Sequence, residues 1–233
     1  MIAIISDIHG NYPALRAVLS DIDQLGIKRI ISLGDVAGYY PMINECTEEL
    51  IKREVLNLMG NHDYYLCSGH RCSRSNSANQ MLEIQRRTIR KSNLEWLARS
   101  SLFHNEGRLS MVHGGWNNPI DEYLTELSSD YFAERPFDYF FCGHTHVQFL
   151  HEFEPGRFFC NPGSVGQPRD GNPDAAYATM YDGVIALHRI KYDISAIQQA
   201  CVKQGIPDHQ YKNLSGGTRI DGKLDQIAFQ GKN

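Results

Sequence analysis

The chain has 233 residues, 23 basic and 27 acidic side chains, a net charge of −4 and a mean hydropathy of −0.40. At about 150 residues per domain, that length admits one large domain or two small ones. The near balance of charge excludes a wholly basic nucleic-acid coat and a long disordered acidic tail. Ten histidines against two tryptophans are the one departure from an ordinary globular composition.

In chain order, Ile2–Ile5 is a continuous apolar run, as expected for a strand buried on both faces. Pro13 then sits where a helix starts, with Leu15, Val18, Leu19, Ile22 and Leu25 at helical spacing before Gly26. Arg29–Leu33 predicts a second strand, about 42–53 a helix, and 54–59 a third strand ending at Gly60. Strands alternating with helices predict an α/β arrangement with parallel strands at its centre. Residues of about 76–99 are predicted helical, with Ser92 and Glu95 as a capping box before Trp96 and Leu97. The runs 109–112 and 137–142 are expected to resume the sheet. Short strands at about 147–153, 157–160, 175–181 and 184–190 then predict a second, largely antiparallel sheet. A helix over about 193–203 precedes a polar tail from about 205 to 233. The whole chain is expected to be one domain, with about 64–105 as a helical insert or cap.

No apolar run approaches the roughly 18 residues of a membrane span. The opening Met1-Ile2-Ala3-Ile4-Ile5-Ser6-Asp7 lacks a basic leader. The six scattered cysteines fit buried free thiols of a cytoplasmic protein better than a disulfide framework. Cys67, His70 and Cys72 offer three ligand types, but their spacing fits no standard zinc finger.

Metal-ligand residue types follow five of the predicted strands. Strand 2–5 leads to Asp7 and His9, and 29–33 to Asp35. Strand 54–59 leads to Asn61, His62 and Asp63, 109–112 to His113, and 137–142 to His144 and His146. In an open α/β sheet the carboxyl ends of the strands line one crevice, so these distant residues converge. Packing alone does not ask for carboxylates, an amide and imidazoles at one edge of a core, and burying them unpaired costs several kcal/mol. Two divalent ions satisfy them. Asp7, His9, Asp35 and His146 suit one, and Asp35, Asn61, His113 and His144 the other, with Asp35 bridging. Mixed oxygen and nitrogen ligands suit Mn, Fe, Zn, Co or Ni, with Mn favoured. Phosphoryl transfer is the reaction that gains most from such a pair.

The segments Asp7-Ile8-His9, Gly34-Asp35-Val36-Ala37-Gly38, Gly60-Asn61-His62-Asp63, His113-Gly114 and Gly143-His144-Thr145-His146 closely resemble the five blocks of the calcineurin-like metallophosphoesterases, in the family's order over residues 1–190. The resemblance implies a mixed α/β fold, a four-layer αββα sandwich of two mixed sheets with the dinuclear site at the strand ends. It also implies the ligand assignment above, attack by a metal-bridging hydroxide, and His62 as a non-ligand group assisting the leaving oxygen. Asn161 to Arg169 looks like the signature of the small prokaryotic branch, which includes phosphodiesterases and diadenosine polyphosphate hydrolases. The expected substrate is therefore a phosphomonoester, phosphodiester or nucleotide pyrophosphate. Gly38-Tyr39-Tyr40 departs from the Asp-Arg-Gly of the protein Ser/Thr phosphatases, which counts against protein substrates. Tyr40 and Arg169 are candidate substrate contacts: a stacking wall or a surface aromatic, and a phosphate clamp or a turn residue.

Residues 71–99 carry seven basic side chains (71, 74, 86, 87, 90, 91 and 99) against Glu83 and Glu95. A solvated helix face is the ordinary reading; a cationic cap steering polyanions is the other. Two further readings are a non-catalytic interaction scaffold of the same fold, disfavoured because every ligand position is filled, and a nuclease using the basic segment.

Overall fold

The computed structural model describes residues 1–73 and 75–230. Strand β1 (Ile2–Ile5) alternates its side chains between two cores: Ala3 and Ile5 face one, Ile4 the other. Helix α1 (Tyr12–Gln24) is capped by the Asn11 side chain, which accepts from the Ala14 N–H at 3.3 Å, and has Pro13 in its first turn. Its Leu15, Val18, Leu19 and Ile22 are buried, each worth about 1.5–3 kcal/mol over exposure. Then follow β2 (Arg29–Ser32), α2 (Ile43–Lys52), β3 (Leu56–Asn57) and α3 (Asn61–Ser68).

The predicted 76–99 stretch is two helices, α4 (Asn76–Thr88) and α5 (Lys91–Ala98). The expected Ser92 cap does not form. Arg90 is the extended residue before α5, because the helix begins where Asn93 docks on α2: its Nδ2 donates to Asn44 Oδ1 at 2.9 Å.

The remaining elements are β4 (Phe103–Glu106), β5 (Leu109–Val112), β6 (Glu126–Ser128), β7 (Tyr139–Phe141), β8 (Gln148–Glu154), β9 (Arg157–Pro162), β10 (Ala175–Tyr181), β11 (Val184–Ile190), α6 (Ile194–Lys203) and β12 (Ala228–Gln230). They build two five-stranded mixed sheets and a small β6–β12 pair. The first sheet has the order β11-β10-β1-β2-β3 and the second β4-β5-β7-β9-β8. Here the structure corrects two expectations. Strands β5 and β7 do not extend the first sheet but found the second. The four late strands do not form one antiparallel sheet: β9 pairs with β7 and carries β8 at the edge, whereas β10 returns to pair with β1 and carries β11. Apolar runs report burial on both faces, which every central strand here shares, so they leave the pairing partner open.

The two sheets pack face to face through Ile4, Ile31, Met111, Phe141 and Cys160. Helices α1 to α5 cover the outer face of the first sheet. The outer face of the second, with Phe140 and Phe159, is covered by a 3₁₀ turn at Ser129–Phe132 and the β6–β12 pair. The parallel strands β1, β2, β3 of one sheet and β5, β7, β9 of the other end at a common edge. Among the described residues no helix is long and apolar enough to cross a membrane.

Candidate metal centre

Asp7 and His9 leave β1, Asp35 leaves β2, Asn61 and His62 open α3 after β3, His113 ends β5, and His144 and His146 leave β7. All eight are buried. Six of the eight non-glycine residues with left-handed φ, among those described, lie here: Asp7, His9, Asp35, Tyr39, His144 and His146, with φ between 32° and 66°. Such a backbone costs roughly 1 kcal/mol or more per residue and persists only where the surroundings over-determine it. Hydrogen bonds between the loops that leave the strand ends, within the first sheet and between the sheets, do so. Asp7 N–H donates to Gly34 O at 3.0 Å, His9 N–H to Asp35 O at 2.9 Å, and His144 N–H to Asp7 Oδ2 at 3.0 Å. The Asp63 carboxylate accepts from the N–H groups of Asp35, Ala37 and Gly60, clamping the loops after β2 and β3 together.

Three histidines spend one nitrogen on a carbonyl. His9 Nδ1 donates to Ala37 O at 2.7 Å, His146 Nδ1 to Gln167 O at 2.6 Å, and His113 Nδ1 to Leu33 O at 3.0 Å. A carbonyl only accepts, so Nδ1 carries a proton and each ring turns its Nε2 inward. His9 Nε2 then faces His146 Nε2 at 3.0 Å, and His113 Nε2 faces Asn61 Oδ1 at 3.1 Å. Asp7 Oδ1, Asp35 Oδ2 and His144 Nε2 are buried without a hydrogen-bond partner. Asp35 Oδ2 lies 3.5, 3.8 and 3.9 Å from the Nε2 atoms of His113, His9 and His62, and Asp7 Oδ1 lies 3.3 Å from that of His146. Carboxylate oxygens and imidazole Nε2 atoms, the atom types that ligate a divalent cation, thus converge in a buried site with three of them unpartnered.

The electrostatics agree. Burial alone raises the Asp7 and Asp35 carboxyls, but the facing imidazoles outweigh it and hold both below the ordinary carboxylate range, His146 acting on Asp7 and His113 on Asp35. Burial drives His9 and His144 well below the ordinary imidazole value. His113 moves oppositely, up to about 9, because Asp35 outweighs its burial. Burial and Asp35 push Asp63 up to about 7. Asp7, His9 and His146 form one group whose ligand atoms lie within 4.8 Å of one another, and Asp35, His113 and His144 another; Asp35 with His9 and His62 is a third.

A cavity of about 480 Å³ opens onto this cluster. His62 lines it, its backbone N–H on Asp35 Oδ1 at 2.8 Å and its Nδ1 without a partner. Arg169 also lines it, its guanidinium donating to Gln167 Oε1 at 2.7 Å and to the Tyr39 hydroxyl at 3.1 Å, 5.5 Å above the Tyr39 ring.

The family model of the calcineurin-like phosphoesterase superfamily domain matches residues 1–182. The chain belongs to that superfamily. Uncharacterized protein MJ0912 of Methanocaldococcus jannaschii is 36% identical over 231 residues, covering 89% of this chain and 94% of the relative. Phosphodiesterase YfcE of Escherichia coli K12 is 29% identical, covering 84% and 95%. A metallophosphoesterase structure from Sphaerobacter thermophilus superposes with a TM-score of 0.81 at 30% identity, covering 93% of this chain and 98% of that one. The Pyrococcus horikoshii protein PH1004, at 19% identity, shares the fold with a TM-score of 0.82 over 94% of this chain and all of its own. This calcineurin-like chain is thus a phosphoesterase at the level of its family.

The structure brings together all seven residues predicted as ligands, with His62 and Arg169 beside them. Tyr40 is a correction. It does not reach the cavity: its side chain is fully buried, its hydroxyl accepting from Gln167 Nε2 at 2.9 Å, and its neighbour Tyr39 faces the site instead. The Cys67, His70 and Cys72 set does not converge among the described residues; Cys67 Sγ contacts Leu94 O and His70 stacks on Tyr64. In the basic segment, Arg86 and Arg87 pair with Glu83, Lys91 with Glu95, and Arg90 with Glu48 of α2. Arg86 also donates to the Tyr65 and His70 carbonyls, a fastening role, while Arg74 lies outside the described residues. Sequence reasoning missed Gln85, whose buried amide grips the N–H and C=O of Gly38 and the C=O of Tyr40, and Asp225 and Arg219 of the tail. No local pattern marks any of them.

Proposed function

We propose that the chain is a dinuclear-metal-dependent phosphoesterase whose whole length acts as one catalytic unit, the helical segment of about 64–105 and the tail enclosing the site. The convergence of carboxylate oxygens and imidazole nitrogens in the buried cluster carries this reading. Asp7, His9, Asp35 and His146 would hold one divalent ion, and Asp35, Asn61, His113 and His144 the other. The oxygen–nitrogen donor set suits Mn, Fe, Zn, Co or Ni, and Mn is favoured. Bound there, the ions supply charge to the phosphoryl oxygens and lower the pKa of water.

The chain's own groups do the rest. Arg169, preset by Gln167 and Tyr39, presents guanidinium N–H groups to a phosphoryl oxygen. His62 packs against Tyr39 and His9, with ring centroids at 5.0 and 4.9 Å, and its imidazole, which lines the cavity, would hydrogen-bond the departing oxygen. The cavity volume suits a phosphorylated small molecule or nucleotide, not a nucleic-acid duplex. Six free cysteines accord with a reducing cytoplasm. A metal panel assayed on p-nitrophenyl phosphate and bis(p-nitrophenyl) phosphate tests the reading. Turnover should need a transition metal and vanish in Asp35→Asn; turnover surviving both chelation and that substitution overturns it.

A further inference from the structure

The family match ends at residue 182, yet Arg219, Ile220 and Asp221 form part of the cavity wall. The tail is stitched to the loop that carries Arg169. Asp225 N–H donates to Arg169 O, and Gly171 N–H to Gly217 O, both at 2.9 Å. At Gly217, with φ +59°, a Cβ would lie 2.6 Å from the Asn172 carbonyl carbon, so the two backbones are in direct contact. Strand β12 anchors the end by pairing in parallel with β6.

Asp225 is the hub of this junction and is only 11% exposed. Its Oδ2 accepts from the Tyr123 hydroxyl at 2.9 Å and lies 3.8 Å from Arg169 Nη1; its Oδ1 accepts from Arg219 Nη1 at 3.3 Å. Two guanidiniums therefore share one carboxylate. The other acid here, Asp221, lies 3.6 Å from Arg219 Nε and 3.7 Å from Lys223 Nζ. Arg169, Arg219 and Lys223 against Asp221 and Asp225 leave this rim cationic by one charge. Arg169 spends its Nε and Nη2 on Gln167 and Tyr39, whereas Arg219 is 47% exposed on the cavity side, and its Nη2 has no hydrogen-bond partner among the described residues.

We propose that the tail completes the active site as a specificity element, with Arg219 seating a second phosphoryl group of the substrate while the first lies at the metal cluster against Arg169. The proposal rests on the phosphoesterase reading above. The unpartnered Nη2 of Arg219, on a guanidinium held in place by its Nη1 bond to Asp225, can donate to a phosphate oxygen. The shared Asp225 carboxylate keeps Arg219 beside Arg169, so both guanidiniums flank one ligand.

The test compares p-nitrophenyl thymidine 5′-phosphate with the same ester carrying a 3′-phosphate, two substrates with one scissile bond and one leaving group. Wild type should favour the 3′-phosphorylated ester in kcat/KM by about tenfold, the scale of a charged hydrogen-bond pair. Arg219→Ala should bring that ratio to about one, and Arg219→Lys should keep part of it. No preference in wild type, or an unchanged ratio in Arg219→Ala, overturns the seat while leaving the phosphoesterase reading in place. If wild type hydrolyses neither these esters nor p-nitrophenyl phosphate with any divalent metal, that reading fails instead. Calorimetric Kd values for thymidine 3′,5′-bisphosphate and thymidine 5′-monophosphate then decide the seat alone: a preference lost in Arg219→Ala supports it, and one retained overturns it.

Discussion

The sharpest consequence of the buried cluster is a division between Asp35 and His62 in metal-induced stabilisation. Asp35 Oδ2 faces three imidazole nitrogens at 3.5–3.9 Å and has no donor of its own, whereas Oδ1 holds the His62 N–H. Asp35→Asn keeps an oxygen for that N–H but sets an NH₂ where both ions need an anion. A metal at about one hundred times its Kd stabilises the folded state by about 2.7 kcal/mol, which is roughly 5–11 °C in Tm for a chain of this size. Removing supporting groups around a metal weakens affinity by about 10–100-fold, so losing the shared ligand should cost at least about 100-fold. At the same metal concentration the stabilisation then falls to about 0.4 kcal/mol, roughly 1–2 °C. His62→Ala removes a ring that faces the site without belonging to either four-residue set, and should keep the full shift. The assay is thermal unfolding of chelator-treated protein with and without Mn²⁺, independent of turnover. An Asp35→Asn shift above half that of wild type, or a lost shift in His62→Ala, refutes the assignment.

The same His62→Ala protein, metal-loaded, should lose about 10²-fold or more in kcat, measured on an aryl phosphodiester; an unchanged kcat removes His62 from the chemistry. Gly38→Ala should cut kcat/KM at least about tenfold and lower Tm by several degrees. Its φ is +103°, and the added Cβ would stand 2.5 Å from His62 Nδ1 and 2.8 Å from His9 Nδ1, so a fully active variant would contradict this crowding. In metal-free protein the titrations oppose one another. His9 and His144, depressed below 6.5, contribute stability that is present above that pH and lost as pH falls. His113, raised to about 9, contributes stability present below 6.5 and lost as pH rises through 9. Tm should therefore peak near neutrality, and scans at about pH 5, 7 and 9 that rise steadily in either direction would contradict it.

What could be seen in the chain before its structure follows from one regularity. Each ligand-type residue stands just after an apolar strand, and in parallel sheets those positions share an edge, so Asp7 and His146 could be placed together across 139 positions. Sheet membership was not visible. Phe140 and Phe141 face opposite cores of the second sheet, as Ala3 and Ile4 do in the first, and both pairs look alike in sequence. Tyr39 and Tyr40 are adjacent aromatics, and only the left-handed φ of 32° at Tyr39 decides which ring meets the cavity. Gln85 lies in a segment read for its charge, and the neutral amide beneath Gly38 leaves no trace in a charge count.

The strain and the converging ligand atoms are two parts of one design. Left-handed backbone at Asp7, His9, Asp35, His144 and His146 turns each side chain back over the end of its own strand, which a continuing extended chain would carry away from the site. That geometry is unfavourable for an isolated chain, and the buried ligand atoms add to the cost. The two-sheet core offsets both, because its apolar contacts do not depend on the metal. A catalytic edge supported in this way can be shared across a family, while the segments that roof it are free to differ. Here the roof includes a tail beyond the family's matched residues, held by Asp225 and by backbone contacts to the Arg169 loop. Chemistry would then belong to the strand ends and choice of substrate to the tail, so a substitution in the tail should change which phosphoesters are preferred before it changes how any of them is cleaved.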